Sequence, residues 1–184
     1  MKLTEMTSRF QIGYVLNAMG LTGVGAEIGV AFGENAEHIL QNAFLSKLLL
    51  IDNWNYVPDQ NAQGYGDVIK NWEGCFTHCK QRLSRFGSRA EFMRMPSAAA
   101  CSLVEDGSLD FVYLDGNHMS PYVDEDIQMW LKKVKTGGIL GGHDYYLIDT
   151  AEYRCDVRTA VDAVFSDDLV LLPEVDSSWY IIKK

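Results

Sequence analysis

The chain has 184 residues, 47% of them hydrophobic and 22% charged, with a formal net charge of −9 at neutral pH. That balance fits a globular chain with one sizeable core. Because no Lys/Arg stripe offsets the acidic surplus, large nucleic acid partners are disfavoured and small molecules favoured. Four cysteines are too few for a disulfide scaffold, no cationic apolar leader is seen, and the longest apolar runs, such as 47–51, fall far short of the ~20 residues that span a bilayer. A cytoplasmic protein with no membrane partner, built as one domain over 1–184, is expected.

From 5 to 19, Met6, Phe10, Tyr14 and Leu16 fall near helical spacing, which predicts an amphipathic helix ended by Gly20. An apolar strand over 24–30 leads through a turn at Gly33 into a helical run over 36–45, and a second strand follows over 47–52. Such near-continuous apolar strands belong to a βαβ unit in a parallel sheet covered on both faces. Residues 53–67 are rich in Asn, Gly and aromatics and read as a long loop. Its Trp54, Tyr56 and Tyr65 either close over a ligand or pack on the body of the domain. A helix is predicted over 67–86, a third strand over 90–95 stopped by Pro96, and a short helix capped by Ser97 and running to about 105.

The fourth strand covers 109–115. Val123, Ile127, Trp130, Leu131 and Val134 then mark the apolar stripe of a helix, whose acids Asp124, Glu125 and Asp126 read as a solvated first turn. Gly137 and Gly138 break that helix before a fifth strand over 139–142. A helix over 156–165 and strands over 169–172 and 179–182, joined through Pro173, Asp176 and Ser177, complete the chain. The expected fold is α/β: a doubly wound, mostly parallel, seven-stranded Rossmann-like sheet with a C-terminal antiparallel hairpin and helices on both faces.

In such a sheet ligands bind beyond the carboxyl ends of the strands, so the residues there carry the functional reading. The first strand ends in Glu27-x-Gly29-x-x-x-Gly33, a turn that allows positive φ and close approach of a ligand to the backbone. The G-x-G-x-x-G run of nicotinamide enzymes and the G-x-x-x-x-G-K-[ST] phosphate loop are both absent. Asp52 ends the second strand, where a carboxylate accepts both hydroxyls of a ribose or serves as a turn or cap residue.

Glu27, Gly29 and Gly33 followed by Asp52 resemble the cofactor site of class I S-adenosylmethionine methyltransferases. The run from Ser108 to His118, Asp126 with Trp130, and the run from Thr136 to Tyr145 resemble the group called methyltransferase domain family 24, some of whose relatives methylate sugars of natural products. The resemblance implies that Glu27, Gly29 and Gly33 surround the methionine part of S-adenosylmethionine, Asp52 its ribose, and Met95 and Ser97 its adenine. Asp115 lines the same cleft. It further implies O-methylation of a small hydroxylated molecule.

Asp115 and Asp144 end neighbouring strands, and two such carboxylates suit Mg²⁺; the competing reading makes Asp115 a turn cap and Asp144 a partner to a cation. Tyr145 stands where catechol-type relatives carry an Asn, which leaves the third protein ligand open. His118 resembles the base of the sugar-methylating relatives, and an imidazole there is able to take a hydroxyl proton; its bland role is that of a turn residue. His143 is a second candidate base or an orienting partner of Asp115. Cys75, His78 and Cys79 lack a second ligand pair at zinc-finger spacing. The rival readings are a non-catalytic S-adenosylmethionine-binding module and a nicotinamide-dependent oxidoreductase. A homo-oligomer whose neighbouring subunit completes the pocket stays open.

Overall fold

The computed structural model describes residues 1–55, 69, 71–147, 154–165 and 168–184. Seven strands lie in one sheet: β1 (Val24–Ile28), β2 (Lys47–Asp52), β3 (Ala90–Arg94), β4 (Leu109–Leu114), β5 (Val134–Gly142), β6 (Val170–Leu171) and β7 (Trp179–Ile182). Their order is β3-β2-β1-β4-β5-β7-β6. The first five run parallel, while β7 is antiparallel to both β5 and β6. This is the doubly wound sheet with a terminal hairpin that the sequence predicts. The winding reverses between β1 and β4, and that switch point opens a crevice at their carboxyl ends.

Helices α1 (Ile12–Ala18), α2 (Glu34–Asn42), α3 (Trp72–Leu83), α4 (Ser97–Ser102), α5 (Tyr122–Lys133) and α6 (Val157–Val164) sandwich the sheet. Side chains alternate across a strand, so β4 sends Phe111 and Tyr113 into the cluster shared with Leu16, Ile39 and Cys79 of α1–α3. Val112 and Leu114 enter the opposite cluster with Ile127, Trp130 and Val161 of α5 and α6. Every residue of β4 is buried, as expected of a central parallel strand, the one acid, Asp110, being paired with Lys135.

Three predicted boundaries are corrected. The helix expected over 5–19 is two 3₁₀ turns, Leu3–Glu5 and Arg9–Gln11, followed by α1. Ser8 is extended and Gln11 Oε1 accepts from the amides of Thr7 (2.8 Å) and Ser8 (3.3 Å), so side chain replaces backbone as their partner. β5 begins at Val134 rather than after Gly137-Gly138, which sit within the strand where its register against β4 shifts. Ser97 is the first residue of α4, not its cap, and α4 stops at Ser102.

At the switch point Gly29 has φ +83°, and a Cβ on it would stand 2.0 Å from the carbonyl oxygen of Asp115. Gly33 has φ +78°, but its Cβ would meet the Sγ of Cys79 at 2.8 Å and a methyl of Leu83 at 3.2 Å, side-chain atoms with some freedom to move. Gly29→Ala is therefore expected to be the costlier change, destabilising by roughly 3 kcal/mol or more against about 1–2 kcal/mol for Gly33→Ala. Urea unfolding of the two variants checks the order.

Candidate active site

Glu27 lies in β1 and is 1% exposed. Its Oε1 accepts from Asn35 Nδ2 (3.0 Å) of α2, while Oε2 is buried without a hydrogen-bond partner. Burial pushes its carboxyl up to about 8, with Asn35 pulling the other way, so the side chain is mostly protonated near neutrality. A buried carboxyl oxygen with no partner is costly in an empty fold and suited to a ligand that brings a donor or a positive charge.

Asp52 closes β2 and organises the glycine turn. Its Oδ2 accepts from the amides of Val30 (3.0 Å) and Ala31 (2.9 Å), and Oδ1 from that of Trp54 (2.7 Å). Burial raises this carboxyl, an effect the three amides oppose. Three of its roughly four lone-pair positions are thereby in use. Trp54, expected as either a lid or a packing residue, is packed: it is 1% exposed, and its Nε1 donates to the carbonyl of Ala31 (2.9 Å), bracing the turn. Tyr56 and Tyr65 lie outside the described residues.

Met95 follows β3 and is partly buried in the α5–α6 cluster. The Ser97 hydroxyl donates to Asp126 and accepts from Trp130 Nε1 (2.8 Å), so it is already engaged, and what Ser97 offers a ligand is its backbone. Asp126 thus departs from the predicted solvated acidic turn: it is 8% exposed, and burial lifts its carboxyl to about 6 against the pull of Ser97. Asp124 and Glu125 occupy that first turn.

At the ends of β4 and β5, Asp115, His118 and Asp144 converge, each offering a ligand atom within 4.8 Å of the others. His118 Nε2 stands 3.1 Å from Asp144 Oδ2 and 3.5 Å from Asp115 Oδ1. Burial weakens the basicity of His118, but the two carboxylates more than reverse this and raise it above the ordinary 6.5. His143 Nδ1 lies 2.9 Å from Asp144 Oδ1, making Asp144 its hydrogen-bonded partner instead of Asp115. His143 is raised too, its burial being outweighed by that bond and by both carboxylates. The histidines in turn hold Asp144 below its ordinary value despite burial. Asp144 has φ +60°, a left-handed conformation that Asp tolerates better than most residues and that aims its carboxylate between the two rings.

Arg9 escaped the sequence reading. Its amide donates to Asp176 Oδ2 (2.8 Å), and its guanidinium lies within electrostatic reach of Tyr113, Asp115 and Asp176. Burial opposes its charge, and these groups more than restore it. Nothing in the spacing around position 9 signals this, because the partner is far away in the chain. Cys75 and Cys79 are buried whereas His78 is exposed, so the three do not converge on a metal. A largely apolar cavity of about 770 Å³, lined by Leu3, Met19, Val170 and Ile182 among others, contains no histidine or cysteine.

A doubly wound sheet of this order, with a glycine turn after β1 and polar residues ending β1, β2, β4 and β5, defines a Rossmann-like methyltransferase fold. A methyltransferase domain model, that of family 24, matches residues 26–145, and the chain belongs to this methyltransferase family. Protein y4gI of Sinorhizobium fredii (strain NBRC 101917 / NGR234), described as uncharacterized, is 22% identical over 131 residues, covering 71% of this chain and 14% of that protein. The chain therefore spans only a small part of that relative. Among solved structures, an O-methyltransferase from Bacillus cereus in complex with SAH is 11% identical with a TM-score of 0.63, covering 100% of this chain and 82% of that one. TomG from Streptomyces achromogenes, an O-methyltransferase of tomaymycin synthesis in complex with SAM, is 10% identical with a TM-score of 0.62, covering 96% and 79%. At such identities the likeness is one of fold.

Glu27 binds a proton in the fold between its ordinary 4.5 and about 8 that the unfolded chain gives up, so its contribution to stability falls as pH rises through that window. The raised histidines act in the same direction above 6.5. The ligand-free protein should lose thermal stability from pH 5 to pH 8. Glu27→Gln should flatten that slope and gain on the order of 2 kcal/mol relative to wild type at pH 8. Calorimetric scans of both proteins across this range check it.

Proposed function

We propose that this methyltransferase carries a methyl group from the sulfonium of S-adenosylmethionine to a hydroxyl oxygen of a small acceptor. The observation that carries this reading is the buried, unpartnered Oε2 of Glu27 beside the glycine turn that Asp52 holds in place. In this reading Glu27, Gly29 and Gly33 receive the methionine part, whose ammonium supplies the donor Glu27 lacks. Asp52 takes a ribose hydroxyl, and Met95 with the backbone of Ser97 flanks the adenine. The O-methyltransferase names of the structural neighbours and their SAM or SAH complexes support the same assignment.

Methyl transfer is an in-line displacement, so alignment of oxygen, methyl and sulfur supplies much of the rate. His118 is the base: paired with Asp115 and Asp144, its imidazole takes the hydroxyl proton as the oxygen attacks, and the carboxylates stabilise the resulting imidazolium. Arg9 balances their charge from the other side.

The grouping of Asp115, His118 and Asp144 supports a second arrangement of the same site. Two carboxylates and an imidazole fit a divalent cation, although one nitrogen donor makes the set less selective for Mg²⁺ than an all-oxygen one. Such an ion would supply a Lewis acid to the acceptor oxygen. His118 would then be a ligand, leaving His143 as the imidazole for the proton.

Titration calorimetry with S-adenosylmethionine should show binding that weakens about 10–100-fold in Asp52→Ala and in Glu27→Gln, the loss attending one charge-assisted hydrogen bond. Absence of binding in the wild type would overturn the assignment. With an acceptor drawn from a library of hydroxylated compounds, His118→Ala should cut turnover about 10²–10⁴-fold and leave cofactor affinity nearly unchanged. Turnover should rise with pH through a value above 6.5, where His118 loses its proton. Cofactor binding without transfer to any acceptor would favour a non-catalytic module.

A further inference from the structure

Asp156 occupies the N-cap position of α6, yet its carboxylate makes no bond to its own helix. Oδ2 instead accepts from the amide of Ser120 (2.9 Å) and pairs with Arg154 (3.1 Å). Its backbone amide donates to the carbonyl of His118 (2.8 Å). One residue thus grips the turn 118–120 at both ends, and Ser120 Oγ fastens the turn onward to Asp124 (2.5 Å). The same stretch reaches the other half of the cluster: Cys155 Sγ donates to the carbonyl of Asp144 (3.7 Å), and Asp162 of α6 accepts from the hydroxyl of Tyr145 (2.7 Å).

An Asp at an N-cap ordinarily satisfies the first free amides of its helix. Turning that carboxylate toward a distant loop leaves the first free amides of α6 without a bond from its side chain. What it bonds is the turn that carries His118, whose Nε2 stands 3.1 Å from Asp144 and 3.5 Å from Asp115.

We propose that Asp156 is a positioning residue, holding the His118 turn so that the imidazole stays seated against Asp115 and Asp144. The functional meaning of that seat rests on the proton-transfer role assigned to His118 above. The seat itself is testable without an acceptor, by site-resolved labelling of the four histidines with diethyl pyrocarbonate, read by mass spectrometry. In Asp156→Ala, labelling of His118 should accelerate about tenfold, in line with loss of a charge-assisted hydrogen bond, while His38, His78 and His143 stay within about twofold of wild type. Asp156→Asn keeps an oxygen for the Ser120 amide and should restore the slow rate.

An unchanged His118 rate in Asp156→Ala would overturn the proposal, as would acceleration at all four histidines, which marks general loosening. Should the alanine variant not fold, hydrogen exchange on the wild-type protein decides: the Ser120 and Asp156 amides should be strongly protected, and exchange at unprotected rates would refute the clip. None of these readings depends on S-adenosylmethionine, whose titration judges the proposed function separately.

Discussion

Where β1 ends, the backbone of Gly29 passes the carbonyl of Asp115 with no room for a methyl group between them. The hydrogen bonding of the sheet continues through this contact and past the strands: Gly29 N donates to Ile51 O (2.9 Å), Asp115 N to Ile28 O (2.8 Å) and His143 N to Leu114 O (3.0 Å). Four strand ends are thereby locked in a fixed offset. The offset puts the glycine turn beside Asp52 and brings the loops bearing His118 and Asp144 onto Asp115. A side chain at position 29 would push the end of β4 away, so one steric requirement governs the glycine turn and the histidine cluster together.

The site so formed is poorly satisfied without its ligands. Glu27 keeps a buried oxygen without a partner, and Asp115, Asp144 and Asp176 crowd around Arg9 and two histidines. Such groups lower the stability of the empty fold and are kept where binding compensates. Another buried acid, Asp110, is matched: it accepts from the Gly23 amide (2.8 Å) and pairs with Lys135 (2.7 Å) at the opposite ends of the same strands. Two acids of similar burial thus differ in pairing, Asp110 on both oxygens and Glu27 on one, a difference burial alone does not show.

Much of the fold was legible in the sequence because the parallel strands are buried on both faces and read as short apolar runs bounded by turns. The polar residues at their ends stood out against that background, which is why Glu27, Asp52, Asp115 and Asp144 could be picked out. What was not legible depends on partners distant in the chain. Asp126 looks like any acid in a first helical turn until Ser97 and Trp130 are seen beside it. The tie of Arg9 to Asp176 and that of Asp156 to the His118 turn leave no periodic trace. The 3₁₀ break near Ser8 and the irregular start of β5 also failed to show, because side-chain hydrogen bonding and a register shift decided them against the helical pattern.

The link between Arg9 and Asp176 bears on the order in which the molecule is assembled. Residues 26–145, which match the family, contain the glycine turn, both histidines and both carboxylates of the cluster. Arg9, whose charge faces Asp115, its partner Asp176, and Asp156, which bonds the His118 turn, all lie outside this stretch. The segment bearing Arg9 is seated on α2 through Phe10, whose ring lies against His38 and whose carbonyl accepts from Asn42 (3.2 Å), but the Arg9 amide has its partner Asp176 only once the β6–β7 turn is in place. Contacts of such long sequence separation form late, since the loop they close must first be ordered. A folding chain would thus form its glycine turn before the contact between Arg9 and Asp176, which waits for the hairpin to close.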